Sequence, residues 1–222
     1  MDWIHDYQLF LFDFDGLLVN TEEIHFRAYR EMCARYGYSL DWTFEQYCQM
    51  AYYRAEGLKE AILKDIPELL LIEPDWNNLY SYKKQRVVEL LNQGEVELMP
   101  GVFEILNYLQ NHKIKHGVVT HSSFELVSAI LKKHPILRSI TCWITREDYS
   151  QPKPNPEGYL KAIQKWAKDD EKIIGFEDTP RGIQALLQTR SKPVLISHLK
   201  YSDLPSSVQK FSNFNELFQE GL

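Results

Sequence analysis

Cysteine is scarce in this chain. Its three copies, Cys33, Cys48 and Cys142, are odd in number and match no metal-ligand spacing. They read as reduced thiols, which suits a cytoplasmic protein better than a secreted one. Glycine and proline are also few, at ten each in 222 residues, and neither an internal repeat nor a low-complexity tract is present. With 44% hydrophobic residues, this is globular composition, enough for one large domain or a domain with a smaller insert. Long apolar runs are missing, so no segment reads as a membrane span. The opening residues MDWIHDYQ have neither the basic stretch nor the apolar core of a signal peptide. Excess positive charge is missing too. A net charge of −6 argues against a general nucleic-acid binder, because phosphate backbones call for surplus Lys and Arg. The basic clusters KKQR (83–86) and LKKH (131–134) read as solvated helix faces.

What the sequence does have is short apolar runs, at 9–12 (LFLF), 116–120 (HGVVT), 139–144 (SITCWI), 172–176 (KIIGF) and 193–197 (PVLIS). Each suits a buried strand and is short for a helix. Helical patterns lie between the later runs. Val102, Ile105, Leu106 and Leu109 follow the i, i+3, i+4, i+7 rule, and Ile183, Leu186 and Leu187 follow it in part. Asn155-Pro156 and Thr179-Pro180 each read as an N-cap followed by proline at the first helical position. Strands alternating with helices predict an α/β fold, a Rossmann-like parallel sheet with helices on both faces. From about 21 to 94 only helical patterns occur, with one stripe of Ile24, Ala28, Met32, Cys33 and Tyr36, a second of Leu58, Ala61 and Ile62, and a third of Val87, Val88, Leu90 and Leu91. That segment predicts an all-helical cap inserted into a core made of 1–20 and 95–222.

Ligands of open parallel sheets bind beyond the carboxyl ends of the strands. The residues that follow each run are therefore the candidate site. After the first run come Asp13 and Asp15; after the second, Thr120, His121, Ser122 and Ser123; after the third, Lys153 within QPKPNP; after the fourth, Glu177, Asp178 and Thr179. Alternation points Asp13 and Asp15 to one side, where like charges repel unless a cation or a proton intervenes. Taken alone, the pair is a solvated turn, Lys153 a surface lysine, and Glu177 with Asp178 a favourable charge at a helix start. Together they suit phosphoryl transfer. Lys153, the Thr120 hydroxyl and backbone N–H groups near Ser122 offer donors to a phosphate. Asp13 and Asp178 offer hard oxygen ligands to Mg2+.

DFDGLLVNTE, VVTHSS, KPNPEGYL and GFEDTPRGIQAL resemble, in order and spacing, the four motifs of the haloacid dehalogenase superfamily, over essentially the whole chain. The nearest branch is the phosphatase and β-phosphoglucomutase-like enzymes with a helical cap. The resemblance implies a phosphatase in which Asp13 is the nucleophile and forms an aspartyl-phosphate. Asp15 would protonate the leaving group and then activate water. Mg2+ would be held by Asp13, Asp178 and the backbone carbonyl of Asp15, with Glu177 acting through water. Thr120 and Lys153 would neutralise phosphoryl oxygens. The implied substrate is a small phosphorylated metabolite, a sugar phosphate, and the family-typical state is a monomer.

Three residues have a less settled place in this pattern. A histidine occurs near His25 in β-phosphoglucomutase-like relatives, and a helix-surface histidine is the bland reading. His121 stands where relatives carry a small or amide residue, so it either contacts substrate or faces solvent. Arg54, in AYYRAEG, falls where the mutases place a phosphate-binding arginine. Those mutases follow motif two with a basic residue and an amide, whereas Ser123 and Phe124 stand here, which favours phosphatase over mutase. A non-catalytic metabolite-binding relative is the remaining alternative, and retention of both Asp13 and Asp15 weighs against it.

Overall fold

The computed structural model describes residues 2–53, 57–93, 96–199, 201 and 203–222. The chain divides into two compact units, Met1–Asn20 with Glu97–Leu222, and Thr21–Val96.

Among its described residues, the regular elements of Thr21–Val96 are all helices: α1 (Glu22–Arg35), α2 (Phe44–Tyr53), α3 (Gly57–Asp65), α4 (Leu69–Ile72) and α5 (Trp76–Asn92). Ile24, Ala28 and Met32 are the buried stripe of α1, and Leu79, Val87, Leu90 and Leu91 that of α5, at helical spacing. Asp75 caps α5, its carboxylate accepting the Asn77 amide at 2.9 Å.

The other unit contains α6 (Val102–Asn111), α7 (Phe124–Lys133), α8 (Glu157–Trp166), α9 (Pro180–Leu187) and α10 (Phe214–Glu220). Its strands are β1 (Leu9–Phe12), β2 (Lys115–Val119), β3 (Cys142–Ile144), β4 (Ile173–Glu177), β5 (Lys192–Ile196) and β6 (Gln209–Phe211). They form one sheet in the order β3-β2-β1-β4-β5-β6, every neighbour parallel. The connections run outward one way from β1 to β3 and the other way from β4 to β6. The order therefore reverses between β1 and β4, the position at whose carboxyl edge open parallel sheets bind ligands.

LFLF is apolar at every position because β1 is covered on both sides. Leu9 and Leu11 join a cluster with Val119, Tyr159, Ala162 and Leu186. Phe10 and Phe12 lie with the Phe176 ring at centroid distances of 6.2 and 5.2 Å, and Phe214 meets Phe12 edge-on. Full burial of such a side chain is worth about 1.5–3 kcal/mol, which makes β1 a firm base for the acids that follow it.

Two local expectations are displaced. The run 139–144 is strand only over Cys142–Ile144, because Pro135–Ser139 forms a 3-10 turn closed by the Ser139 hydroxyl donating to the Ile136 carbonyl at 2.7 Å. Helix α8 starts at Glu157, one residue later than an Asn155 cap implies, although the Asn155 side chain still accepts the Glu157 amide at 2.9 Å. Thr179 does cap α9, accepting the Gly182 amide, with Pro180 in the first turn. Among the described residues no helix is long and apolar enough to cross a membrane.

Candidate active site

Four connections meet at the reversal of strand order. β1 ends at Phe12, and the Asp13 amide donates to the Phe176 carbonyl at 3.0 Å, which continues the pairing by one residue. The chain then turns through Gly16, whose φ of +80° is costly for any side-chain-bearing residue. Phe14 is buried against Trp143, so the two aspartates on either side of it are held firmly.

Asp13 and Asp15 face different partners. Asp13 accepts from the Lys153 ammonium, which also donates to the Val119 carbonyl at 2.8 Å and lies 2.7 Å from a Glu177 carboxylate oxygen. Asp15 Oδ2 accepts from the Thr120 hydroxyl at 3.0 Å and the Ser122 hydroxyl at 2.7 Å. Thr120 Oγ1 in turn accepts the Ser122 amide at 2.9 Å. The Thr120 hydroxyl thus orients Asp15. Helix α7 begins at Phe124, capped by the Ser123 side chain, so its first turn lies slightly beyond Ser122.

Asp13, Glu177 and Asp178 form a buried carboxylate cluster whose ligand atoms lie within 4.8 Å of one another. Three carboxylates against one ammonium leave an excess of buried negative charge and only oxygen donors, the donor set of a hard divalent cation. The cost of that excess shows at Asp13. Burial pushes its carboxyl up to about 8, with Lys153 opposing the shift and Glu177 and Asp15 adding to it. The carboxyl of Asp15 is turned toward the Thr120 and Ser122 hydroxyls, and the cluster is made by the other three acids.

Glu177 is only 1% exposed and is held in place on several sides. The Tyr159 hydroxyl donates to Oε1, and a Cβ on Gly182 would sit 1.9 Å from Oε2, so glycine leaves room for the carboxylate under the first turn of α9. Lys153 also lies 5.0 Å from the centre of the Tyr159 ring. Tyr159 was not singled out from the sequence. A tyrosine in an otherwise apolar helical stripe was the available signal, since a buried phenol needs a partner.

His121 lies beside Thr120 at the same edge, with Nδ1 3.1 Å from the Tyr149 hydroxyl. His25 belongs to the helical unit. Its Nδ1 is 2.7 Å from the Lys83 ammonium, its Nε2 is buried without a hydrogen-bond partner, and burial followed by the Lys83 charge drives its pKa well down. Lys83, read from the sequence as part of a solvated helix face, is instead buried, 4.6 Å from the Tyr29 ring centre and beside His25. Arg54 lies outside the described residues.

The Haloacid dehalogenase-like hydrolase family model matches residues 10–194. Protein CbbY of Rhodobacter capsulatus is 29% identical over 178 residues, covering 78% of each chain. The phosphorylated carbohydrates phosphatase of Thermotoga maritima is 27% identical over 180 residues, covering 79% of this chain and 78% of its own. The crystal structure of CbbY from Rhodobacter sphaeroides with xylulose-(1,5)bisphosphate superposes with a TM-score of 0.75 at 22% identity, over 95% of this chain and 96% of that one. That last likeness is one of fold, and it agrees with the sheet order and the flanking helices. With the family model spanning most of its length, this chain belongs to the haloacid dehalogenase-like hydrolases and is an enzyme of that family.

Proposed function

We propose that the chain is a magnesium-dependent phosphatase that hydrolyses a small phosphorylated metabolite, a sugar phosphate, through an aspartyl-phosphate. One observation carries this reading. At the switch point of the sheet, a buried aspartate paired with a lysine stands beside a second aspartate held by two hydroxyls. A binding site alone has no use for two carboxylates in such different settings. The names of the Thermotoga and CbbY relatives support the choice of substrate class.

In this reading an Asp13 carboxylate oxygen attacks phosphorus, and the ester oxygen departs as it takes a proton from Asp15. Water then attacks the phosphoryl group, giving its proton to Asp15 and releasing phosphate and free Asp13. Lys153 holds Asp13 in place and balances charge on the phosphoryl oxygens. Thr120 and Ser122 orient Asp15. Asp13, Asp178 and the backbone carbonyl of Asp15 would hold Mg2+, with Glu177 beside them, and the ion would keep Asp13 ionised and offset the negative charge of the phosphate.

Hydrolysis of p-nitrophenyl phosphate tests this directly. Turnover should require Mg2+, stop with chelator, and fall by at least about 10³-fold in Asp13→Asn while the fold is kept. A folded wild-type protein without Mg2+-dependent turnover, or a fully active Asp13→Asn, would overturn the proposal. A sugar-phosphate panel with a mutase assay alongside separates hydrolysis from phosphoryl transfer within one sugar.

A further inference from the structure

At the carboxyl edge, His121 is a nitrogen base that the steps above do not use. It stands between Thr120 and Ser122, the two residues that orient Asp15, with its ring partly covered and partly open to solvent. Its protonation pattern follows from its neighbours. The Tyr149 hydroxyl, on a side chain only 4% exposed, donates to the Thr120 carbonyl at 2.9 Å, and a buried carbonyl of that kind needs its donor. The phenol has one proton, so its oxygen meets His121 Nδ1 as an acceptor, at 3.1 Å. Nδ1 therefore carries hydrogen. Tyr149 cannot swing away, because the Arg146 guanidinium donates to its carbonyl at 2.9 Å and lies 5.9 Å from the centre of its ring.

The remaining question is whether Nε2 also carries a proton. Partial burial comes first, then the positive charges of Arg146, Arg181 and Lys153. Against the weaker pull of Asp15 they bring the imidazole down to about 4. At neutral pH the ring is neutral, and Nε2 presents a lone pair. A lone pair attracts a hydroxyl and repels a carboxylate.

Resting on the phosphatase reading, we infer that His121 Nε2 accepts a hydrogen bond from a hydroxyl of the leaving group. The preferred substrate is then a phosphorylated polyol or sugar with a free hydroxyl next to the ester carbon, rather than a carboxylate-bearing phosphoester. Tyr149 is the positioning residue that selects the tautomer, through the carbonyl of the residue that also orients Asp15.

Two measurements test this. In protein labelled with 15N-histidine, long-range 1H–15N spectra report the tautomer, with His121→Asn assigning the signal. The expected pattern at neutral pH is Nδ1–H, and an Nε2–H pattern overturns the inference. The second measurement is kcat/KM on glycerol 1-phosphate, phosphoglycolate and p-nitrophenyl phosphate. The wild type should favour glycerol 1-phosphate over phosphoglycolate. His121→Phe should lose roughly tenfold on glycerol 1-phosphate, the scale of one hydrogen bond, and this loss should clearly exceed that on p-nitrophenyl phosphate. His121→Asn, which keeps an acceptor, should recover part of it. Equal losses on both esters, no loss, or a wild-type preference for phosphoglycolate would each refute it. Failure of the phosphatase reading shows differently, as a wild type inactive on p-nitrophenyl phosphate with Mg2+, whatever tautomer His121 adopts.

Discussion

Asp13 and Asp15 have the same side chain two residues apart, and their surroundings separate them. One is buried against an ammonium, the other is turned toward two hydroxyls. In the proposed mechanism Asp13 is the nucleophile and Asp15 the proton carrier, a division that needs a cation to keep the buried Asp13 ionised. Glu177 shows the same dependence on neighbours. Its carboxylate is placed by Tyr159 and Lys153, so removing the phenol should be felt both in the fold and in the site. Tyr159→Phe is expected to lower unfolding free energy by about 2 kcal/mol, the scale of a hydrogen bond to a buried charge, measured by denaturant titration. An unchanged midpoint would show that Glu177 does not depend on that bond.

At the scale of elements, the loop that delivers Lys153 is tied to the helix that follows it. The Glu157 carboxylate, in the first turn of α8, accepts the Ser150 amide at 3.1 Å and the Gln151 amide at 2.7 Å. Its Oε1 lies 2.8 Å from the Lys161 ammonium. The Lys161 hydrogen bond and these amides bring its carboxyl down from 4.5 to about 2. A pKa lowered by folding contributes stability that is present above the unfolded value and is lost as pH falls through the folded one. Glu157→Gln should therefore be less stable than wild type at neutral pH, and the gap should close between about pH 4.5 and about pH 2. Thermal unfolding across that range checks it; a gap that does not change with pH would place the effect outside the carboxylate charge.

Over the whole molecule, the cluster of Asp13, Glu177 and Asp178 is a concentration of like charge inside an apolar fold. A cation that binds there binds the folded chain and not the unfolded one. It should raise stability by about 2.7 kcal/mol at a concentration of 100 Kd, or several degrees in melting temperature. Melting with and without Mg2+ tests this, and Asp178→Asn should largely abolish the shift. A Mg2+-dependent shift that survives in Asp178→Asn would mean that the ion binds elsewhere.

The sequence by itself determined the class of fold and the edge where chemistry gathers. Buried parallel strands must be apolar at every position, so LFLF and KIIGF are legible, and polar residues directly after such runs have only the carboxyl edge to occupy. The Thr179-Pro180 start of α9 was equally legible, because an N-cap is a local interaction. Strand β6 was not. Gln209–Phe211 has one buried residue and is a strand only through pairing with β5. Nor does any local pattern tell Asp13 from Asp15, pair Tyr159 with Glu177, or place the Tyr149 hydroxyl between His121 and Thr120. Those contacts join residues 18 to 140 positions apart, and only the packing of helices on the sheet brings them within hydrogen-bond distance. Local propensity and periodicity specify elements, whereas the protonation and pairing of a buried group depend on whatever the tertiary fold sets beside it.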